Sequence, residues 1–596
     1  MSADSLTNKG RPPPHLNILF QLMSISPPGS RPSVGIIGGG IAGLYTALLL
    51  QREGIKFHIF EGTGTVGGRV RTHYFSQEQD QYFEAGAMRI PDSDFHKITF
   101  DLIGYLNQEW ASVDSRRNIE IIDYVLTTKG NHLYVNGKLH TNTEGSSATA
   151  DITPALVSWD VPPKYIDRTA GDLMGEAIKS YKKRLSGLNP PQFEEEFRKI
   201  IGEVDNISFR YFLQFPPENS GRIEGYPPSV IDFMETVLSQ TNQYMLSVPE
   251  LLMQNLDFGE NKWKTINHGM SRLPEAMAAL VTHEKITYGA RVTSLSVIEK
   301  SDEYPEGGVK VGATGYNGKL TMDFDKVVLA IPPAALKMLI SRPRWGPKKD
   351  MAIRSIHFEA LFKMGMRFRR RFWERVSAPS MGGQSTTDLP IRWVVFPSNG
   401  IGSVDTPGVL LVYAWMTDAT TWLPLTPIER RQLAINNLQR LYDGLLTEGE
   451  SIASLLMETS EAIWSQSTAT GDASYLPGQF LDRFDAARRP EGNIHFAGEH
   501  LSFHHTWISG AADSALRTAR DLLKDPDLKG LSTSPSGQRK LVPKLAPLKG
   551  CFTPVNPLDL PSEHQPYGGG ESDPPHHLGG DPLHPMGPAI TNLRLG

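Results

Sequence analysis

The sequence predicts an α/β protein in which a nucleotide-binding unit is interrupted by a helical insert and by a second, β-rich unit. Three observations predict it. The stretch "SVGIIGGGIAGLYTALLL" sets an apolar strand, a glycine loop and a helix end to end. Residues from about 170 to 253 carry apolar side chains at three- and four-residue spacing. Apolar runs such as "DKVVLAIPP" and "GVLLVYAWM" recur far down the chain and read as buried strands.

With 596 residues the chain has room for more than one domain, and 39% hydrophobic residues suit a globular protein. A net charge of -5 gives no reason to expect nucleic acid or an anionic membrane as a partner. The basic run "RFRRRFWERV" (367–376) reads as a solvated face. One cysteine, Cys551, excludes an intramolecular disulfide and a cysteine-based metal site.

The first 32 residues, rich in Pro and Ser, read as an irregular arm without a signal peptide. "LNILFQLM" is too short to span a bilayer, and the run 34–50 is broken by five glycines. The expectation is an intracellular, cytoplasmic protein.

In the glycine loop, Gly38, Gly40 and Gly43 have the G-x-G-x-x-G spacing. The first permits a tight turn, the second lets backbone approach a pyrophosphate, and the third lets helix pack on strand. Ile41 and Ala42 open the helix, whose N-terminus attracts phosphate. After a second strand, "FHIFE", Glu61 stands eighteen residues beyond Gly43, where an acid binds ribose hydroxyls and repels a 2′-phosphate. The loop alone leaves NAD and FAD both open.

Further along, "HLYVNGKLH" predicts a hairpin turning at Asn136-Gly137. "AGDLMGEAIKSYKKRL", "PQFEEEFRKIIGEV" and "SVIDFMETVLSQ" predict helices. The end of the chain, from about residue 531, is low in complexity. Its histidines (His564, His576, His577, His584) read as part of a polar tail, with metal binding the alternative.

Just after Glu61 and Gly62, "GTVGGRVRT" resembles the flavin amine oxidase superfamily, whose Gly-Gly-Arg lies beside the FAD pyrophosphate; the matching residues are Gly67, Gly68 and Arg69. "FEAGAMRIP" resembles the segment under the flavin ring, which places Gly86, Ala87, Met88 and Arg89 against the cofactor. "INHGMSRLPEAMA" resembles the family's Gly-Gly-Met segment, and "GARVTSL" its adenine-contacting strand, with Val292 at the contact. "IHFAGEHLSFHHTWISGAADSALRTA" resembles the closing motif, in which Gly498 and Glu499 face the ribityl phosphate and Thr506, Trp507 and Ile508 border the isoalloxazine. The resemblance runs from about 33 to 525 and implies a Rossmann-like, discontinuous FAD-binding domain with a β-rich substrate domain and a helical insert.

Within the superfamily the L-amino acid oxidase branch is the nearest match, on the strength of Arg89. That branch grips the substrate carboxylate with an arginine and a tyrosine, here Arg89 and Tyr413. Read alone, Arg89 has another candidate anion in Asp92 or Asp94. "SIHFEALFKMGMRF" resembles the strand whose lysine holds a water near flavin N5, which maps to Lys363; a surface lysine is the alternative. Lys363 and Trp507 are the catalytic candidates; Trp507 also forms a substrate wall beside Thr506.

The resemblance implies hydride transfer from an L-amino acid Cα to flavin N5, then hydrolysis to a 2-oxo acid and ammonia, with O2 reduced to hydrogen peroxide. FAD is expected to be noncovalent, since no cysteine lies near the motifs, and no metal is expected. A homodimer is common in the family. Alternatives are an amine or polyamine oxidase, an amino acid 2-monooxygenase, or a flavin-binding scaffold without turnover.

Departures are visible too. No histidine occurs between Asn142 and Asn267, where venom members carry one proposed as the base. Thr506 and His268 stand where glycines are usual. The expected partition is an arm at 1–32, FAD-binding pieces at 33–78, 259–350 and 475–530, and substrate-domain pieces at 79–140 and 351–474. The helical insert is 141–258 and the tail 531–596.

Overall fold

The strand Val34–Ile37 takes its two sheet partners from distant parts of the chain, Phe57–Phe60 on one side and Lys326–Leu329 on the other. The structure is a computed structural model that describes residues 33–524, apart from 79, 144–148, 260, 261, 316, 317, 468 and 469. Cys551, the N-terminal arm and the tail histidines lie outside the described residues.

Five parallel strands form the first sheet, in the order Ile286–Thr287, Phe57–Phe60, Val34–Ile37, Lys326–Leu329, Ile494–Phe496. Its three central strands are buried along their whole length, as a parallel sheet covered on both faces requires. Period-two alternation splits their side chains between two cores. Val34, Ile36, Phe57 and Ile59 face the helices Ile41–Arg52, Arg272–Val281 and Ile508–Lys524. Ile37, Phe60, Val327 and Leu329 face an antiparallel meander of Arg291–Ile298, Gly308–Gly315 and Gly318–Phe324.

A second sheet has seven strands, in the order Leu456–Ile463, Leu361–Phe368, Gly408–Trp415, Trp393–Val395, Gln384–Thr387, His132–Val135, Lys138–Thr141. Its neighbours are antiparallel except Gln384–Thr387 with His132–Val135. The predicted hairpin is its edge. Asn136 and Gly137 both take left-handed φ (53° and 72°), the conformation of a two-residue hairpin turn.

The predicted helices form as Ala170–Leu185, Pro190–Val204 and Pro228–Leu238, joined by Phe209–Gln214 and Val248–Asp257. Asn189 and Gln192 make a reciprocal capping box, and Thr169 and Ser208 cap their own helices. Leu173, Tyr181, Phe193, Phe197 and Met234 bury the shared face.

The run at 367–376 is no solvated face. Phe372 and Trp373 sink into the core and draw Arg371 in with them, 1% exposed. Its Nη1 is matched by Glu374 Oε1 at 3.1 Å and the Asn399 carbonyl at 3.0 Å. The interleaved Phe372 and Trp373 are buried, and Arg371 beside them goes in with its charge offset by Glu374.

Candidate active site

A single cavity of about 1600 Å³ reaches from the glycine loop to the seven-stranded sheet and on between helices of the insert, where Met174, Ile178 and Gln254 line it. Gly38 (φ +107°) turns the chain where a Cβ would meet the Ala330 carbonyl oxygen at 2.6 Å. At Gly43 a Cβ would lie 1.9 Å from the Gly38 carbonyl oxygen, so helix and loop interlock there. Gly40 differs. A Cβ on it would meet no protein atom closer than the Gly67 oxygen at 3.9 Å, so the fold itself does not demand glycine. What the missing Cβ preserves is open space over an N-terminus that no side chain caps. Ile41 and Ala42 line that space, which suits an anion approaching the helix dipole.

Glu61 is fixed for a ligand on one side. Its Oε2 accepts from Gly39 N at 2.8 Å and its Oε1 from Thr63 N and Oγ1, both at 2.8 Å. Gly62, Gly67, Gly68 and Val292 line the cavity around it. Arg69 donates to Glu499 Oε1 and to the Gly471 carbonyl, both at 2.7 Å. Burial pushes Glu499 up, but Arg69 and the two histidines His505 and His500, with the Thr506 N–H, hold it below the usual carboxylate range. Gly498 and Ile508 complete this wall.

Gly86 is small for a reason within the protein. A Cβ would sit 1.8 Å from the Arg69 carbonyl oxygen, so the two loops touch backbone to backbone. Ala87 and Met88 follow it along the cavity.

Arg89 is 6% exposed and forms no ion pair among the described residues, Asp92 and Asp94 included. Its guanidinium lies over the rings of Phe258, Trp263 and Tyr124 at 5.0, 5.5 and 5.8 Å. Its one polar contact among the described residues is Gln384 Oε1 at 3.4 Å.

The seven-stranded sheet supplies the facing side by alternation. Lys363 pairs in register with Tyr413, and Tyr413 with Trp393. All three face the cavity, while Phe362, Met364, Val394 and Val412 between them fill the core behind. Lys363 is buried, donates to the Gly86 and Glu84 carbonyls at 2.5 and 3.3 Å, and lies 4.8 Å over the Tyr413 ring. Burial pulls it down to about 7; Glu84 acts against this and Arg89 with it. Burial raises the Tyr413 phenol, which stays protonated and able to donate.

Trp507 is held by a buried relay. Its Nε1 donates to Asp257 Oδ2 at 2.7 Å, Asp257 Oδ1 meets His96 Nε2 at 3.0 Å, and His96 Nδ1 meets Ser509 Oγ at 2.8 Å. Thr506 and His268 occupy left-handed φ of 75° and 62°, the conformation for which glycine is usual. Of the residues assigned from sequence to cofactor or substrate contact, Gly43 alone does not line the cavity; His268, noted as a departure, does not line it either.

Other lining residues carried no motif. Trp415 was readable from Tyr413, two positions away on the same strand face. Asp472 was not: it lies in an irregular stretch with no periodicity. Among the described residues no cluster of His, Cys, Asp and Glu fits a metal, and no helix is long and apolar enough to cross a membrane.

The chain is 30% identical over 578 residues to a putative bifunctional amine oxidase of Dictyostelium discoideum, covering 92% of itself and 50% of that protein. It therefore spans half the length of that relative. A putative L-amino-acid oxidase of Bacillus subtilis (strain 168) is 28% identical over 505 residues, 82% of this chain and 94% of the other. In fold it is similar to a solved variant of putrescine oxidase, with a TM-score of 0.62 at 17% identity over 83% of this chain and 98% of that one. Residues 41–523 match the family of flavin containing amine oxidoreductases, and with the glycine loop, Glu61 and the Arg69–Glu499 pair on one cavity, the chain belongs to that family.

Proposed function

We propose that the protein is an L-amino acid oxidase using noncovalent FAD, producing a 2-oxo acid, ammonia and hydrogen peroxide. The observation that carries this reading is Arg89, a buried cation with no carboxylate partner among the described residues, on the cavity that Tyr413 also lines and within electrostatic reach of that phenol. A buried charge is costly unless paired, and a guanidinium offers two parallel donors to a carboxylate. An amine substrate would bring a second positive charge to the same place. Relatives named as L-amino-acid oxidases agree with this reading.

The glycine loop, Glu61, Arg69 and Glu499 would hold the dinucleotide, and the stretches 33–78, 259–350 and 475–530 each contribute residues to the cavity lining. A flavin bound there would supply the hydride acceptor and the route for electrons to O2. Arg89 and Tyr413 fix the α-carboxylate, and Trp507, locked by Asp257, walls the substrate, so positioning contributes most of the rate. Lys363 Nζ, whose burial pulls its pKa well below that of an ordinary lysine, exchanges a proton with water for hydrolysis of the imino acid. The chain has no histidine in the insert, so the substrate amine loses its proton to water.

The test is to incubate the flavin-loaded protein with each common L-amino acid and quantify peroxide, ammonia and 2-oxo acid together. Equal yields are expected. An amide with CO2 would establish a monooxygenase instead, and turnover of amines alone an amine oxidase.

A further inference from the structure

Side chains two apart on a strand share a face and stand about 7 Å apart. Trp415 therefore faces the cavity beside Tyr413, one step further from Arg89's partner position, and both residues line it. Trp415 Nε1 donates to Asp472 Oδ1 at 3.2 Å. Asp472 is 6% exposed and also lines the cavity, yet its Oδ2 has no hydrogen-bond partner among the described residues. The cations near it are engaged elsewhere: Arg69 with Glu499 and the Gly471 carbonyl, Lys363 with the Glu84 and Gly86 carbonyls.

A buried carboxylate oxygen without a donor is a cost that any apolar residue would avoid. Oδ1 serves the Trp415 indole and Thr506 also bonds the carboxyl, but Oδ2 has no donor among the described residues, and that unspent acceptor points to a ligand. The cavity thus holds an unpaired cation, Arg89, and an incompletely satisfied anion, Asp472, with Tyr413 and Lys363 under the influence of both.

We propose that Asp472 and Trp415 form a side-chain subsite for cationic L-amino acids, taking the ω-ammonium or guanidinium of a lysine-, ornithine- or arginine-like substrate. The proposal rests on the reading that Arg89 and Tyr413 hold the α-carboxylate. A substrate anchored there extends its side chain along the strand face, and a chain of four methylenes covers the step to Trp415. The indole offers its face to the cation and the carboxylate a charge-assisted hydrogen bond. A neutral side chain of equal length would leave Oδ2 as unsatisfied as before.

The experiment compares kcat/KM of the holoenzyme at pH 8 for L-lysine, L-norleucine and cadaverine, in the parent and in Asp472→Asn. Burial raises Asp472 to about 6, so it is ionised at that pH. L-lysine is expected to exceed L-norleucine by at least 10-fold, and Asp472→Asn to lower the lysine-to-norleucine ratio on the order of 100-fold, mainly through KM. Flavin difference spectra with 6-aminohexanoate and hexanoate give a readout independent of turnover, with the amino compound binding more tightly only while Asp472 is present. Norleucine equal to or better than lysine, or an unchanged ratio in Asp472→Asn, overturns the subsite while leaving the oxidase reading standing. Oxidation of cadaverine in preference to every amino acid overturns both.

Discussion

A guanidinium enclosed by Phe258, Trp263 and Tyr124 has given up most of its water and, among the described residues, gained only one long contact to an amide. Such a group is poised for an incoming anion, and each charge-assisted hydrogen bond contributes about 1.5–3 kcal/mol net. Arg89→Leu is therefore expected to raise KM for amino acids on the order of 100-fold while the flavin spectrum stays that of the parent. Steady-state kinetics beside an absorbance spectrum checks this. Unchanged KM with loss of flavin would assign Arg89 to the cofactor instead. Arg89, Tyr413, Lys363 and Trp507, which all line the cavity, could be singled out because each sits in a stretch with a family pattern. Asp472 was invisible, since nothing in "TATGDASYLP" shows that Trp415, 57 positions earlier, will reach it.

The first strand, loop and helix show what an element contributes beyond its residues. Gly43 is required by packing, with a notional Cβ 1.9 Å from the Gly38 oxygen, while Gly40 has 3.9 Å of clearance, so on the proposed reading its missing side chain serves the cofactor and not the fold. Gly43→Ala should destabilise the flavin-free protein by about 1–3 kcal/mol, the usual cost of overpacking. Gly40→Ala should leave that stability within about 0.5 kcal/mol yet weaken flavin binding severely. Denaturant melts of the apoprotein and a flavin titration separate the two; equal destabilisation by both would remove the distinction. The strands and insert helices were readable from spacing because burial imposes period two or 3.6 wherever one face is covered. The basic run at 367–376 was misread because composition reports charge and not the rings packed between the charges. Trp373 and Phe372 settle where Arg371 goes.

At the scale of the molecule, the cavity is lined by residues from Ile37 to Ala511, so segments far apart in the chain share one wall around the proposed cofactor site. Ligand binding to the native state alone adds about 2.7 kcal/mol at a free concentration 100 times Kd. Adding FAD should therefore move the whole unfolding transition upward as one step, followed by calorimetry. A separate low-temperature step, insensitive to FAD and assigned to the helical insert, would contradict this. The same distribution of partners has a consequence for synthesis. Val34–Ile37 finds Phe57–Phe60 soon after both leave the ribosome, but Lys326–Leu329 and Ile494–Phe496 come hundreds of residues later. At roughly 5–20 residues per second the central strand waits with one unpaired, fully apolar edge for tens of seconds. Such an edge invites aggregation, which makes the nascent chain a natural client for a chaperone that holds extended apolar segments.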